Sequence, residues 1–432
     1  MIFFKVSQNI NIKIADNSLV NLTKSTKSGD TNENIYITTY NDYEAVKKIF
    51  EKVGSNYKGI IVDEKKITSF KEFPIELGVS NKNEFLQQRQ KKKNQTFLNN
   101  ISQYTTNNLY KNEIFCDIFS QLNTHKKEIS IAIIGGIGRD IGEIICALSS
   151  VRILYTSLQK KFRNINIDIF LESAENPYYK RDKDLIENAP FINKVLPLAI
   201  SVKSLCEYDY YIDNSSLNET IFFEQLPFVD AYLYKFGINY KLIPSNSKHN
   251  QIQLNNYEPS VELKKEIEQL KAKSKLILFH PYSPNIDRSL PKDIAVSLLK
   301  QLVVECDNII VSALKIEKFE DDSFFDLSKY SKSLFDFIYI ISQSDYIITA
   351  DTSTYHISDI FLIPTVVIFN DENLINKRIK YYYSVKPYLL KEKKKSLSLL
   401  QFENDSLTIN KYTKYKNIKI KKILQLLFSI QS

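Results

Sequence analysis

The sequence predicts an α/β protein in which two parallel-sheet domains follow an additional N-terminal α/β region. Three observations point there. From Glu128 onward, short apolar runs alternate with amphipathic stretches, the pattern of strands covered on both faces by helices. Two of the runs end in loops of unusual chemistry: Ile129 to Ile134 leads into Gly135-Gly136-Ile137-Gly138-Arg139-Asp140, and Tyr346 to Thr349 leads through Ala350 into Asp351-Thr352-Ser353-Thr354-Tyr355-His356. At 432 residues the chain also exceeds what one hydrophobic core usually serves. Both domains are therefore expected to be Rossmann-like, with ligands beyond the carboxyl ends of their strands.

Residues 1–124 are polar and rich in Asn and Lys, with strands expected at Asn34 to Thr39 and Gly59 to Val62 around a helix at Asp42 to Val53. Helical patterns continue through Asn83 to Asn100 and Asn108 to Leu122, and the basic run Arg89 to Lys93 reads as a solvated helix face. Residues 128–260 form the first Rossmann-like domain. It is expected to hold a strand at Ile129 to Ile134, a helix at Ile141 to Leu158, and strands at Ile165 to Leu171, Lys194 to Pro197 and Tyr210 to Asp213. Asn246 to Ser260 is polar and carries a proline, as a linker would. The second domain, 261–390, should run through a helix at Val261 to Ala272, a strand at Lys275 to Phe279, a helix at Pro291 to Val304, a strand at Asn308 to Ser312, a helix at Ser333 to Ser342 and a strand at Tyr346 to Thr349. Residues 391–432 form a basic tail whose end, Ile418 to Ile430, suits an amphipathic helix packing across the two domains.

Composition narrows the function classes. The 58 basic and 50 acidic residues leave a formal charge of +8, a mild excess that suits phosphorylated substrates or an anionic membrane face better than tight duplex binding, and no nucleic-acid module is visible. Cys116, Cys146, Cys206 and Cys306 are far apart and read as free thiols in a reducing compartment. The N-terminus lacks a basic segment followed by a long apolar run, and no later stretch approaches the roughly 20 apolar residues of a spanning helix. A cytoplasmic location is expected.

Three constellations carry chemistry. At the Asp351 turn a helix start offers unpaired amides and partial positive charge, Thr352 and Ser353 add hydroxyls, and His356 follows one turn on: a diphosphate would fit. In the first loop, Gly136 and Gly138 permit close backbone approach, and Asp140 opens a helix where a carboxylate is favoured, either as a base or as a plain N-terminal helix residue. Gly136, Gly138, Gly142 and Glu172 also approach a dinucleotide fingerprint, with the last glycine one residue late. The third constellation, His280-Pro281 and Arg288-Ser289-Leu290-Pro291, joins a buried strand to a helix; Arg288 is either a phosphate partner or a surface arginine, and His280 reads as a satisfied strand-end histidine. Asp182-Lys183-Asp184 reads as surface charge. No histidine or cysteine spacing matches a metal site.

The order of these motifs resembles the ADP-heptose-dependent heptosyltransferases of bacterial lipopolysaccharide assembly, glycosyltransferases of family 9 type. The likeness covers roughly Glu128 to Pro387, and residues 1–124 have no counterpart in it. Ile131 to Asp140 with Cys146-Ala147-Leu148 is similar to the family's first strand, loop and helix, although Arg139 is inserted and Cys146 replaces a proline. His280-Pro281 and Arg288 to Pro291 match a second motif, with Arg for Lys and Leu for Trp. Asp351 to His356, followed by Pro364-Thr365, matches a third with Ser353 in place of glycine. The resemblance implies a GT-B fold of two Rossmann-like domains facing a cleft, and inverting transfer without metal or other cofactor. Asp140 would be the base, Gly136, Gly138 and Arg139 the acceptor-side loop, and Arg288, Asp351, Thr352, Ser353 and His356 the donor site. It implies a nucleotide-sugar donor, a glycan, lipid-linked or protein acceptor, and peripheral contact with the inner membrane. Two other classes are weighed beside it: a noncatalytic relative spoiled by Arg139 and Ser353, and a dinucleotide-dependent oxidoreductase.

Overall fold

The computed structural model of the chain describes residues 1–24, 34–68, 71–80, 117–123, 125–254, 257–316, 319–391, 400–403, 406–409, 415 and 417–430. They fall into two compact units, Met1–Lys248 and His249–Ser432, so the division lies inside the Asn246 to Ser260 stretch. The expected helix at 83–100, most of that at 108–122, and the basic runs at 89–93 and beyond Lys391 lie outside the described residues.

The first unit opens with β1 (Ile2–Val6), a hairpin of β2 (Ile10–Lys13) and β3 (Leu19–Leu22), β4 (Tyr36–Thr38), α1 (Tyr40–Val53), β5 (Gly59–Ile61), α2 (Glu64–Thr68), β6 (Ile75–Glu76) and α3 (Ile118–Gln121). Strand and helix then alternate through β7 (Glu128–Ile134), α4 (Ile141–Leu158), β8 (Asn164–Leu171), α5 (Tyr179–Glu187), β9 (Lys194–Pro197), β10 (Ile200–Ser201), α6 (Val202–Leu205), β11 (Tyr210–Asp213), α7 (Ile221–Gln225) and α8 (Phe228–Lys235). Helix α1 starts where Thr39 caps the amide of Asp42, and it buries Tyr43, Val46 and Phe50 at helical spacing. Helix α4 is apolar on nearly every face because α8 covers the side that the sheet does not. Its 18 residues, with a mean hydropathy of 1.4, are long and apolar enough to cross a membrane by length and composition, a property the sequence reading does not assign to any stretch; 67% of the window is buried in this core.

The described residues of 1–124 are woven into this unit. The parallel sheet runs β6-β11-β7-β8-β9, so its outer strand comes from the N-terminal region, with Tyr210 opposite Ile75. In return β10 leaves the alternating part and joins β4 in the antiparallel sheet β10-β4-β1-β5, with Ile200 opposite Ile37. One apolar cluster follows the exchange, holding Phe3, Ile35 and Ile37 together with Ala132, Ile134, Phe170 and Ile200.

The second unit contains α9 (Val261–Lys271), β12 (Leu276–His280), α10 (Lys292–Glu305), β13 (Ile309–Ser312), β14 (Phe324–Asp326), α11 (Leu334–Gln343), β15 (Tyr346–Ala350), α12 (Thr354–Ile360), β16 (Thr365–Phe369), α13 (Glu372–Ile379), β17 (Val385–Leu389), a hairpin of β18 (Leu400–Glu403) and β19 (Ser406–Ile409), and α14 (Ile420–Phe428). Its six-stranded sheet is parallel throughout and ordered β14-β13-β12-β15-β16-β17. Numbered along the chain, that is the doubly wound order 3-2-1-4-5-6. The sequence reading has the last helix packing across both domains. The buried face of α14, Ile420, Ile423, Leu424 and Leu427, instead completes the core of the second unit against α10 and strands β15 to β17.

Candidate functional site

Each parallel sheet has one place where successive crossovers leave in opposite directions, and there the loops part to open a crevice beyond the strand ends. In the second unit it lies between β12 and β15. The loop after β12 carries Arg288 and is closed by Leu290 donating its amide to the Pro281 carbonyl at 2.9 Å, while the amides of Arg288 and Ser289 turn back onto the Asn285 carbonyl. Asn370, just past β16, donates to the Asp287 carbonyl and pins this loop beside the neighbouring strand. The turn after β15 supplies Asp351, Thr352 and Ser353. Ser353 has φ −59° and ψ −19°, an ordinary helical geometry, so a side chain stands there without strain, and its hydroxyl makes no capping bond.

Asp351 is buried beneath the turn, where it pairs with Arg378 of α13 and accepts a hydrogen bond from the Tyr355 hydroxyl at 2.9 Å. This carboxylate holds a cation in the crevice. His356 is buried as well, its Nδ1 bonded to the Tyr382 hydroxyl; burial first, then the positive fields of Arg378 and Arg288, push its pKa well below the usual imidazole value. It is neutral at physiological pH. Burial likewise lowers His280, at the end of β12 against the Phe337 ring, to about 4. Five buried polar atoms around this crevice have no hydrogen-bond partner among the described residues: His280 Nδ1, against the reading of a satisfied histidine, Arg288 Nε, Arg378 Nε, Thr354 Oγ1 and Asp351 Oδ2. Buried polar atoms are rarely left unmet, and two of these belong to guanidinium groups.

The corresponding crevice of the first unit lies between β7 and β11 and opens into a cavity of about 340 Å³. Gly136 and Gly138 shape its floor with φ of +78° and +137°, and a Cβ on Gly138 would stand 2.7 Å from the Ile144 amide. Asn214 donates to the Gly136 carbonyl at 2.8 Å and keeps its own Oδ1 buried without a partner among the described residues. Arg139, Glu172, Asn176, Tyr178 and Asp182 line the walls. Asp140 is exposed at the start of α4, where its Oδ1 accepts the Glu143 amide at 2.9 Å, so it serves as an N-cap.

Of the sequence-predicted residues, Gly136, Gly138, Arg139 and Asp140 fall together in the first unit, and Arg288, Asp351, Thr352, Ser353 and His356 in the second. Asp182 corrects the surface-charge reading. It is 9% exposed, faces the cavity from α5 and bonds Arg181, while only Asp184, paired with Lys180, keeps to the surface. Sequence reasoning missed Arg378, Tyr382 and Asn214, and weighed Glu172 only as part of a dinucleotide fingerprint. Arg378 lies 27 residues beyond its partner, on helix α13, a separation that carries no periodic signal.

Fold and site together define a double Rossmann-type α/β protein with a polar crevice at each sheet's switch point. No protein-family model matches the sequence, and no curated protein does. Among solved structures, the ADP-heptose lipopolysaccharide heptosyltransferase II of E. coli is similar at 15% identity, covering 70% of this chain and 98% of its own, with a TM-score of 0.44. The glycosyl transferase family 9 protein of Veillonella parvula follows at 11% identity, 70% and 97% coverage and a TM-score of 0.43. The iron-containing dodecameric glycosyltransferase TibC of enterotoxigenic E. coli shares 12% identity over 71% of this chain and 76% of its own, at a TM-score of 0.43. Likeness of this degree decides neither activity nor ligand.

Proposed function

We propose that the chain is an inverting, metal-independent glycosyltransferase that moves heptose or a related sugar from a nucleotide-diphosphate donor such as ADP-heptose to a lipopolysaccharide core or other surface glycan. The supporting observation is the cationic crevice at the second switch point, where Arg288 and Arg378 each keep a buried Nε without a partner beside Thr352 and Ser353. A diphosphate would give Arg288 an anionic partner and share Arg378 with the Asp351 carboxylate that already pairs with it. Neutral His356, oriented by Tyr382, adds a ring that does not compete for charge.

In this reaction the acceptor hydroxyl oxygen forms a bond to the anomeric carbon from the face opposite the leaving group. Its proton passes to the Asp140 carboxylate. The bond from the anomeric carbon to the diphosphate oxygen breaks, and its electron pair leaves with the diphosphate. Arg288, Arg378 and the two hydroxyls stabilise the charge that develops there, the role a metal plays in other transferases. The protein would work in the cytoplasm, peripherally at the inner membrane.

Arg288→Glu should weaken binding of ADP and of the nucleotide sugar by at least about tenfold in calorimetry, since it removes a charge-assisted donor and adds repulsion. Unchanged affinity would remove Arg288 from the donor site. Asp140→Asn should lower transfer by roughly 10²-fold or more while leaving donor binding intact. Retention of full turnover would take the base assignment away, and donor turnover that survives excess EDTA would match the metal-free chemistry.

A further inference from the structure

The cavity of the first unit is walled in part by the N-terminal region, and its best-placed carboxylate is held from there. Glu172 leaves the end of β8 half-buried, and its Oε1 accepts the Thr39 hydroxyl at 2.6 Å. Asn41, from the first turn of α1, lines the same cavity. The same turn secures the loop that carries Glu172: the buried Asp42 carboxylate accepts the amides of Ser173 at 2.7 Å and Ala174 at 2.9 Å, and the Thr38 hydroxyl at 2.8 Å. Across the cavity stands Asn214, 7% exposed, with its Oδ1 unpartnered among the described residues.

The lining decides the ligand class. Two carboxylates, Glu172 and Asp182, face one guanidinium, Arg139, which disfavours a free anion. The N-terminal end of α4, where a pyrophosphate would seat, already holds the Asp140 carboxylate on the Glu143 amide. What remains are amides, hydroxyls and carboxylates that pair with hydroxyl groups. A volume of about 340 Å³ lies at the lower end of small-ligand pockets.

We propose that this cavity binds an uncharged sugar through Glu172 and Asn214, and that the N-terminal region, by fixing Glu172 through Thr39, determines which sugar is accepted. Given the transferase reading on which it rests, that sugar is the acceptor terminus. The N-terminal region is thus a specificity element of the first unit.

The test is saturation-transfer NMR on the full chain with methyl glycosides of glucose, galactose, mannose and N-acetylglucosamine, and with NAD⁺ in a separate arm. At least one glycoside should bind. Glu172→Gln should weaken it about tenfold, as loss of a charged hydrogen-bond acceptor does. Thr39→Val should change the ranking of the four glycosides, and Thr39→Ser, which keeps the hydroxyl and the helix cap, should restore it. Affinity for ADP, read in parallel, should not move in any variant. The proposal is overturned if no glycoside binds, if NAD⁺ displaces the bound glycoside, or if Glu172→Gln and Thr39→Val both bind the panel as the parent does. Glycoside binding of the expected kind with no affinity for nucleoside diphosphates would leave this site standing and sink the transferase reading instead.

Discussion

At the scale of single residues, burial shifts titration even where neighbours supply hydrogen bonds. Asp42 is met by three donors, and burial still raises its pKa. Asp359, near the end of α12, is different: it is 2% exposed, and among the described residues neither oxygen has a partner of hydrogen-bond geometry. Burial raises its pKa to about 7, although the amides of Asn250 and Tyr383 pull it back. A carboxyl whose folded pKa is raised holds a proton that the unfolded chain has lost, so its contribution is greatest below pH 4 and declines as pH climbs toward 7. Asp359→Asn should therefore raise stability above pH 7 by roughly 2–4 kcal/mol and do little near pH 4. Melting temperatures measured from pH 4 to 8 would show the gap between variant and parent widening with pH; a constant gap would mean that this carboxyl does not titrate in that window.

At the scale of elements, the long apolar runs were legible. The strands at Glu128–Ile134 and Asn164–Leu171 and the helix at Ile141–Leu158 stand within a residue of where periodicity puts them, because each is long enough to show its pattern and is bounded by turn residues. Strands β6 and β10 were not, since two residues carry no alternation and their pairing partners lie far away in the chain. For the candidate site, the turn residues from Asp351 to His356 could be read from composition. Arg378 could not, because only the crossing of α13 brings it to Asp351. Helix α14 shows the reverse case: its pattern is plain, and what it covers is a property of the sheet. Leu427 is fully buried there among α10 and β15 to β17. Leu427→Ala should cost about 2–5 kcal/mol through lost burial and the cavity it leaves. Urea unfolding would register this as a lower midpoint at unchanged slope, whereas an unaltered midpoint would place α14 outside the cooperative core.

At the scale of the whole molecule, every strand pairing among the described residues stays within its own unit, and each unit has an apolar cluster of its own. Fragments 1–248 and 249–432, expressed separately, should each unfold cooperatively by calorimetry. A fragment without a transition would show that its core is incomplete. Within the first unit such a cut cannot be made so freely, because β10 pairs with β4 across 163 positions, Ile200 facing Ile37. On the ribosome this matters in time. At ordinary elongation rates, on the order of ten to thirty seconds pass between the emergence of β4 and that of its partner. Through that interval β4 has an edge that only β10 covers, so until residue 200 arrives the nascent chain offers that edge to other strands.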